Sequence, residues 1–146
     1  MPRTYADLED WPVVVEIPVQ WGELDAYGHV NNTVFFRWFE SARIAFLDRC
    51  GLLETMERDR IGAILHSTSC RFRRAVFFPD TVLVGGAAAD VGDDRFTMQY
   101  RVVSVEQDAV AAEGEGVIVS YDYTRRNKVL LPDAVRQTLR DLAPPG

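Results

Sequence analysis

Apolar and polar positions along this chain fall into two regimes with a clear boundary between them. From Thr33 to Cys50 most polar residues are confined to one narrow stripe; from Ile61 onward apolar residues recur at every second position. At 3.6 residues per turn, Thr33, Arg37, Glu40, Ser41, Ile44 and Asp48 share one line of a helix surface. Val34, Phe35, Phe36, Trp38, Phe39, Ala42, Ala45, Phe46 and Leu47 take most of the remaining circumference. A surface helix carries a narrower apolar face, so this pattern predicts a long helix enclosed on most sides. Asn31, Asn32 or Thr33 can cap its start, because short polar side chains accept from the orphan N–H groups there. Gly51 stands where a left-handed terminating residue is wanted. Arg43 lies one turn after Glu40 and is placed to pair with it.

Around that helix the chain reads as sheet. Val13 to Val19 is a β-branched run with Pro18 near its end, which predicts a strand at or near a sheet edge. Residues 1–12 are polar and read as a loose lead-in, and residues 52–60 as a short helical turn. The period then changes to 2. Ile61 to Arg74 is a long strand with Ile64, His66, Thr68, Cys70 and Phe72 on one face, ended by the Pro79-Asp80 turn. Thr81 to Val91 follows, where Gly85-Gly86 predicts a bulge or a close backbone approach. Arg95 to Glu106 alternates cleanly after a hairpin turn at Gly92-Asp93-Asp94. Ala109 to Tyr123 is the next strand, with Val117, Val119, Tyr121 and Tyr123 on one face. Arg125 to Leu131 forms a last extension, and a helix over about 132–142 closes at Ala143-Pro144-Pro145-Gly146. The order is strand, buried helix, then four or five antiparallel strands: one α+β domain over 1–146, its curved sheet wrapped around a central helix. Such a sheet leaves an edge and an outer face to be covered, which predicts a homodimer or homotetramer.

Composition narrows the function. A net charge of −6 argues against a nucleic-acid partner, since phosphate backbones select basic surfaces. It leaves room for a phosphorylated small molecule, which needs only a local basic cluster. Two cysteines, Cys50 and Cys70, are too few for a disulfide framework and lack metal-ligand spacing, so buried thiols in a reducing compartment are expected. No stretch approaches the roughly 20 apolar residues of a membrane span, and MPRTYADLED has no apolar signal run. A cytoplasmic protein without membrane association is the expectation.

The chemistry concentrates in the turn before the helix, where Asp25, His29, Asn31 and Asn32 stand within eight positions. A helix start offers unpaired N–H groups and the positive end of the helix dipole. A carboxylate beside those donors can activate a nucleophile next to a polarised carbonyl.

The run Q-W-G-E-L-D-A-Y-G-H-V-N-N-T-V-F-F-R-W-F-E-S-A-R resembles the opening of hotdog-fold acyl-CoA thioesterases, the 4-hydroxybenzoyl-CoA thioesterase-like family. C-R-F-R-R at 70–74, F-P-D-T-V at 78–82 and R-R-N-K-V-L-L-P at 125–132 extend the likeness over nearly the whole length. The resemblance implies a hotdog fold in a dimer or tetramer, and hydrolysis of an acyl-CoA thioester. No metal or redox cofactor is implied, coenzyme A entering as part of the substrate. It places Asp25 on the catalytic carboxylate and the Asn32 backbone N–H on the oxyanion donor. His29 matches a histidine of plant acyl-carrier-protein thioesterases, whose Asp-x-Asn-x-His pattern has Tyr27 at its middle position here. Gly28, which lets the backbone turn before the helix, and Tyr27 are candidates for substrate contact, and Arg74, Arg95 and Arg126 are the candidates for coenzyme A phosphates. Two further readings stand beside this one: a hydratase or dehydratase of acyl thioesters on the same fold, and a non-catalytic acyl-CoA binder.

Overall fold

The computed structural model describes residues 3–142; the closing Ala-Pro-Pro-Gly lies outside the described residues. In chain order the elements are β1 (Val13–Pro18), α1 (Asn32–Cys50), α2 (Leu52–Asp59), β2 (Ile61–Phe72), β3 (Thr81–Ala89), β4 (Arg95–Ser104), β5 (Ala109–Asp122), β6 (Asn127–Lys128) and α3 (Asp133–Asp141). The strands form one antiparallel sheet in the order β1-β3-β4-β5-β2, with β6 added beside the end of β5. This is the expected α+β architecture: a long helix held inside one sheet.

Local chemistry sets the limits of α1. The Asn31 side chain accepts from the Thr33 N–H at 2.9 Å, which caps the start. Gly51 ends the helix at φ +97°, a conformation that costs other residues strain. The stripe of Thr33, Arg37, Glu40, Ser41, Ile44 and Asp48 is the exposed face, as the periodicity predicts. Phe35, Trp38, Phe39, Ala42 and Phe46 are buried against the sheet. Gly86 lets α1 approach: a Cβ there would meet the Ala42 Cβ and carbonyl at 3.5 Å. Of the two expectations for Gly85-Gly86, close approach is the one found, for β3 pairs with both neighbours without a register shift.

Two expectations change. The lead-in is not loose: Arg3–Leu8 form a 3-10 turn, and Leu8 is buried with Leu83 and Val103 on the sheet's outer face. Arg101 stacks 5.1 Å above Trp11 and donates to the Asp7 carbonyl, which pins this segment across β4. The second change lies in β2. Its register against β5 slips between Leu65 and Ser67, so His66 is a bulge residue. Ile64 therefore shares a face with Ser67, not with Thr68, Cys70 and Phe72; strict alternation fails where one extra residue is inserted. On its other side β2 has no neighbouring strand among the described residues, and most of its length from Ile64 to Phe72 is exposed.

Candidate active site

The turn before α1 is a small antiparallel loop. Leu24 bridges Val30, the Asp25 N–H donates to the His29 carbonyl at 2.8 Å, and the Gly28 N–H returns to the Asp25 carbonyl at 3.0 Å. Gly28 closes this turn at φ +82°, the one place in the loop where glycine's freedom is needed. The loop is anchored on two sides. Asn31 donates to the Glu23 carbonyl at 2.9 Å, and Val30 donates to the Val76 carbonyl at 2.8 Å. Glu23 also pairs with Arg37 of α1 at 2.8 Å. Asp25 is thereby fixed to the helix start and to the segment leaving β2.

Those three pieces enclose an open pocket of ≈ 350 Å³. Asp25, His29 and Asn32 line one side, Val30 and Phe35 the floor, and Phe72 to Ala75 the opposite wall. One carboxylate oxygen of Asp25 accepts from the Tyr27 N–H at 2.8 Å, which orients the group, while the other has no partner among the described residues. The Asn32 N–H is the first of α1 and likewise donates to nothing among them. A held carboxylate and an orphan helix-start donor thus share one cavity. Such a cavity can place a base beside a carbonyl whose oxygen points at the donor.

The other predicted residues divide. His29 lines the pocket, its ring stacked with Tyr27 at 6.4 Å and edge-on to Phe77 at 5.7 Å. Arg74 lies on the rim with its guanidinium unpaired among the described residues. Tyr27 is 84% exposed and outside the pocket lining; its contribution is the backbone N–H that holds Asp25. Gly28 shapes the turn without lining the cavity.

Arg95 and Arg126 are not brought to this pocket within one chain. Arg95, the first residue of β4, is tied to Asp94 at 2.8 Å. Arg126 stands in the turn after β5, beside the start of β2, whereas the pocket adjoins its end. Twelve residues of strand separate those ends, on the order of 35 Å.

Sequence reasoning missed Phe35 and Phe72 as site residues. They meet edge-on at 5.1 Å and give the pocket its apolar surface. The available signal was the break in alternation just after Phe72, which marks the strand end facing the helix start.

Cys50 is buried as expected, whereas Cys70 on β2 is only half-buried; the loss of water around each pushes both thiols up to about 11, so neither is a thiolate nucleophile at neutral pH. Among the described residues no group of three or more His, Cys, Asp or Glu gathers in a metal-binding arrangement, and no helix is long and apolar enough to cross a membrane.

Comparison with known proteins bears on the family and the fold. A family profile described as the thioesterase-like superfamily matches residues 19–139. A Thermus thermophilus thioesterase, solved in complex with coenzyme A and zinc, is 30% identical, with 92% of this chain and 96% of that one covered at a TM-score of 0.79. A 1,4-dihydroxy-2-naphthoyl-CoA thioesterase from Synechocystis shares the fold at a TM-score of 0.77 and 21% identity, covering 91% of this chain and 98% of its own. The uncharacterised Bacillus subtilis protein YsmA is 23% identical over 124 residues, 85% of this chain and 82% of that one.

Proposed function

Since the chain belongs to the thioesterase-like superfamily, we propose that it hydrolyses an acyl-CoA thioester to a carboxylic acid and coenzyme A. The observation that carries this reading is the sharing of one pocket by the Asp25 carboxylate and the unpaired Asn32 N–H. In the reaction, water adds to the thioester carbon while the free oxygen of Asp25 takes its proton. The carbonyl oxygen, gaining negative charge, accepts from the Asn32 N–H at the positive end of α1. A donor of this kind contributes roughly 3 to 4 kcal/mol in the transition state. Collapse of the tetrahedral intermediate breaks the C–S bond, and the proton held by Asp25 passes to the departing sulfur. Of the two arginines that line the pocket, Arg73 is held by Glu113 and Arg74 is unpaired among the described residues, which leaves Arg74 to meet a coenzyme A phosphate.

The pocket's outer wall is the end of a strand with a free edge. A second copy pairing along β2 would extend the sheet and close this side, and its own β2 start would bring Arg126 of the partner subunit towards the Phe72 end. A homodimer is therefore part of the proposal.

Asp25→Asn keeps an oxygen for the Tyr27 N–H but removes the base. Its kcat on a hydrolysed acyl-CoA is expected to fall by at least about 100-fold with unfolding temperature unchanged. A variant as fast as the parent excludes the role. One feature favours a second reading: His29 lines the same pocket as Asp25, and a histidine with a carboxylate is the equipment of acyl-thioester hydration. Following enoyl-CoA hydration beside thioester cleavage separates the two.

A further inference from the structure

We propose that the rings of Tyr27, His29 and Phe77 seat the pantetheine arm of the thioester, the chain of methylenes and amides between its sulfur and its first phosphate; this rests on the thioesterase reading above.

The three rings form one exposed corner beside the pocket. His29 is its centre, with Tyr27 tilted by 25° at 6.4 Å and Phe77 standing edge-on at 5.7 Å. Because His29 also lines the pocket, corner and pocket are continuous. Tyr27 gives the pocket only its backbone N–H; its ring is 84% exposed, and Phe77 is 50% exposed. Large rings left in water at the mouth of a cavity mark a binding surface. The His29 imidazole is half-buried and has no hydrogen-bond partner among the described residues. A polar ring so placed is completed by a ligand or by water.

The chemistry of the reaction decides which part of the substrate lies here. Asp25 returns its proton to the departing sulfur, so the sulfur sits on the Asp25 side of the carbonyl. Tyr27 follows Asp25 by two residues, which holds their Cα atoms within about 8 Å. The extended arm spans roughly 15 Å. The corner therefore lies alongside the arm and short of the nucleotide. Methylenes and the paired methyl groups of the arm suit the faces of Tyr27 and Phe77, while the amide nearest the sulfur meets the His29 imidazole. Phe77 belongs to the segment that carries Arg74, so an arm held in this corner brings its phosphate end towards a cation that is unpaired among the described residues.

The test compares an acyl-pantetheine with the N-acetylcysteamine thioester of the same acid, which keeps the thioester and the first amide and lacks the rest of the arm. The parent should favour the pantetheine substrate by at least about tenfold in kcat/KM. Tyr27→Ala, which keeps the backbone N–H that holds Asp25, and Phe77→Ala should each lower that ratio by about fivefold. Phe77→Leu, the smaller perturbation, should lower it in part if the alanine variant fails to fold. A ratio equal in parent and variants overturns the proposal. So does a loss that follows the acyl group, compared between acetyl and benzoyl substrates, since the corner would then hold the acid. A fall in sedimented mass for Tyr27→Ala would make the corner a subunit contact and end it too. His29→Gln keeps a donor and an acceptor and should raise KM more than it lowers kcat; the reverse split would put His29 in proton transfer and overturn its place here.

Calorimetry decides without turnover. Tyr27→Ala should weaken coenzyme A by about fivefold and adenosine 3′,5′-bisphosphate, which lacks the arm, by less than about twofold. If no thioester is cleaved, the hydrolase reading fails, while that pair of affinities still upholds the seat. Affinities that fall alike, or do not fall, end it.

Discussion

Glu113 accepts from Arg73 Nε at 2.5 Å through one oxygen and from Arg101 at 3.2 Å through the other. Arg73 lines the Asp25 pocket, so a carboxylate of β5 ties the rim of the site to the sheet's outer face. Arg101 continues the link to the Asp7 carbonyl and Trp11. The order found in the lead-in and the placement of the pocket wall thus share one network.

That network has a pH signature. Burial opposes ionisation of Glu113, but the hydrogen bonds and charges of Arg73 and Arg101 outweigh it and hold the carboxyl below its ordinary value. The unfolded chain therefore binds a proton at higher pH than the folded one. Stability from this group is present above the ordinary glutamate range and is lost as pH falls through that range towards the lowered value. The side chain is one-third exposed and solvent screens the pair, so about 1 kcal/mol is at stake. Unfolding temperatures measured from pH 7 to pH 3 should converge for the parent and Glu113→Gln, the parent being the more stable only at the upper end. Parallel curves would show that Glu113 is not the titrating group.

Gly114 lies one residue along β5, on the face towards α1. A Cβ there would stand 2.5 Å from the Ser69 carbonyl oxygen and would also meet the Phe39 ring. A backbone carbonyl in a paired strand cannot withdraw, and Phe39 is itself stacked on Tyr100. Gly114→Ala should cost about 3 kcal/mol, at the severe end for overpacking. Chemical denaturation would read it; a loss under about 1 kcal/mol would mean that β2 and α1 separate more freely than this packing allows.

Gly114 also marks how far the sequence could be read. The helix, its cap at Asn31, its stop at Gly51 and its exposed stripe were legible because each follows from local spacing and backbone chemistry. So was the Asp25 turn, whose short polar residues crowd one helix start. The need for glycine at 114 was not, because it comes from Phe39 and Ser69, residues far away in the chain. His66 hid for a related reason: a bulge leaves the apolar period intact in composition while rotating every residue before it. Arg126 shows the remaining limit. Basic character marks a phosphate binder as readily as a solvated turn, and only the three-dimensional arrangement shows that it stands a strand's length from Asp25.

The free edge of β2 gives the test of assembly. The Arg73 N–H donates to the Ala111 carbonyl, and in an antiparallel ladder such inward donors alternate with outward ones. Arg73, Arg71, Ser69 and Ser67 therefore face β5, and the N–H groups of Phe72, Cys70 and Thr68 face away from it. Thr68→Pro removes an outward donor near the middle of the strand and leaves the backbone ladder to β5 intact, losing across it only the bond from the Thr68 hydroxyl to the Glu115 carbonyl at 3.2 Å; an outward-facing position on an edge strand is where proline is tolerated. The folded chain should survive this change with at most a modest loss of stability. If a second copy docks on β2, the variant should sediment as a monomer at concentrations where the parent is a dimer. Its KM for the acyl-CoA should also rise, because the pocket wall beyond Phe72 is then missing. Retention of the parent's mass would place the interface elsewhere. A monomer with unchanged KM would mean that Asp25, Asn32 and Arg74 of one chain bind the substrate without a neighbour.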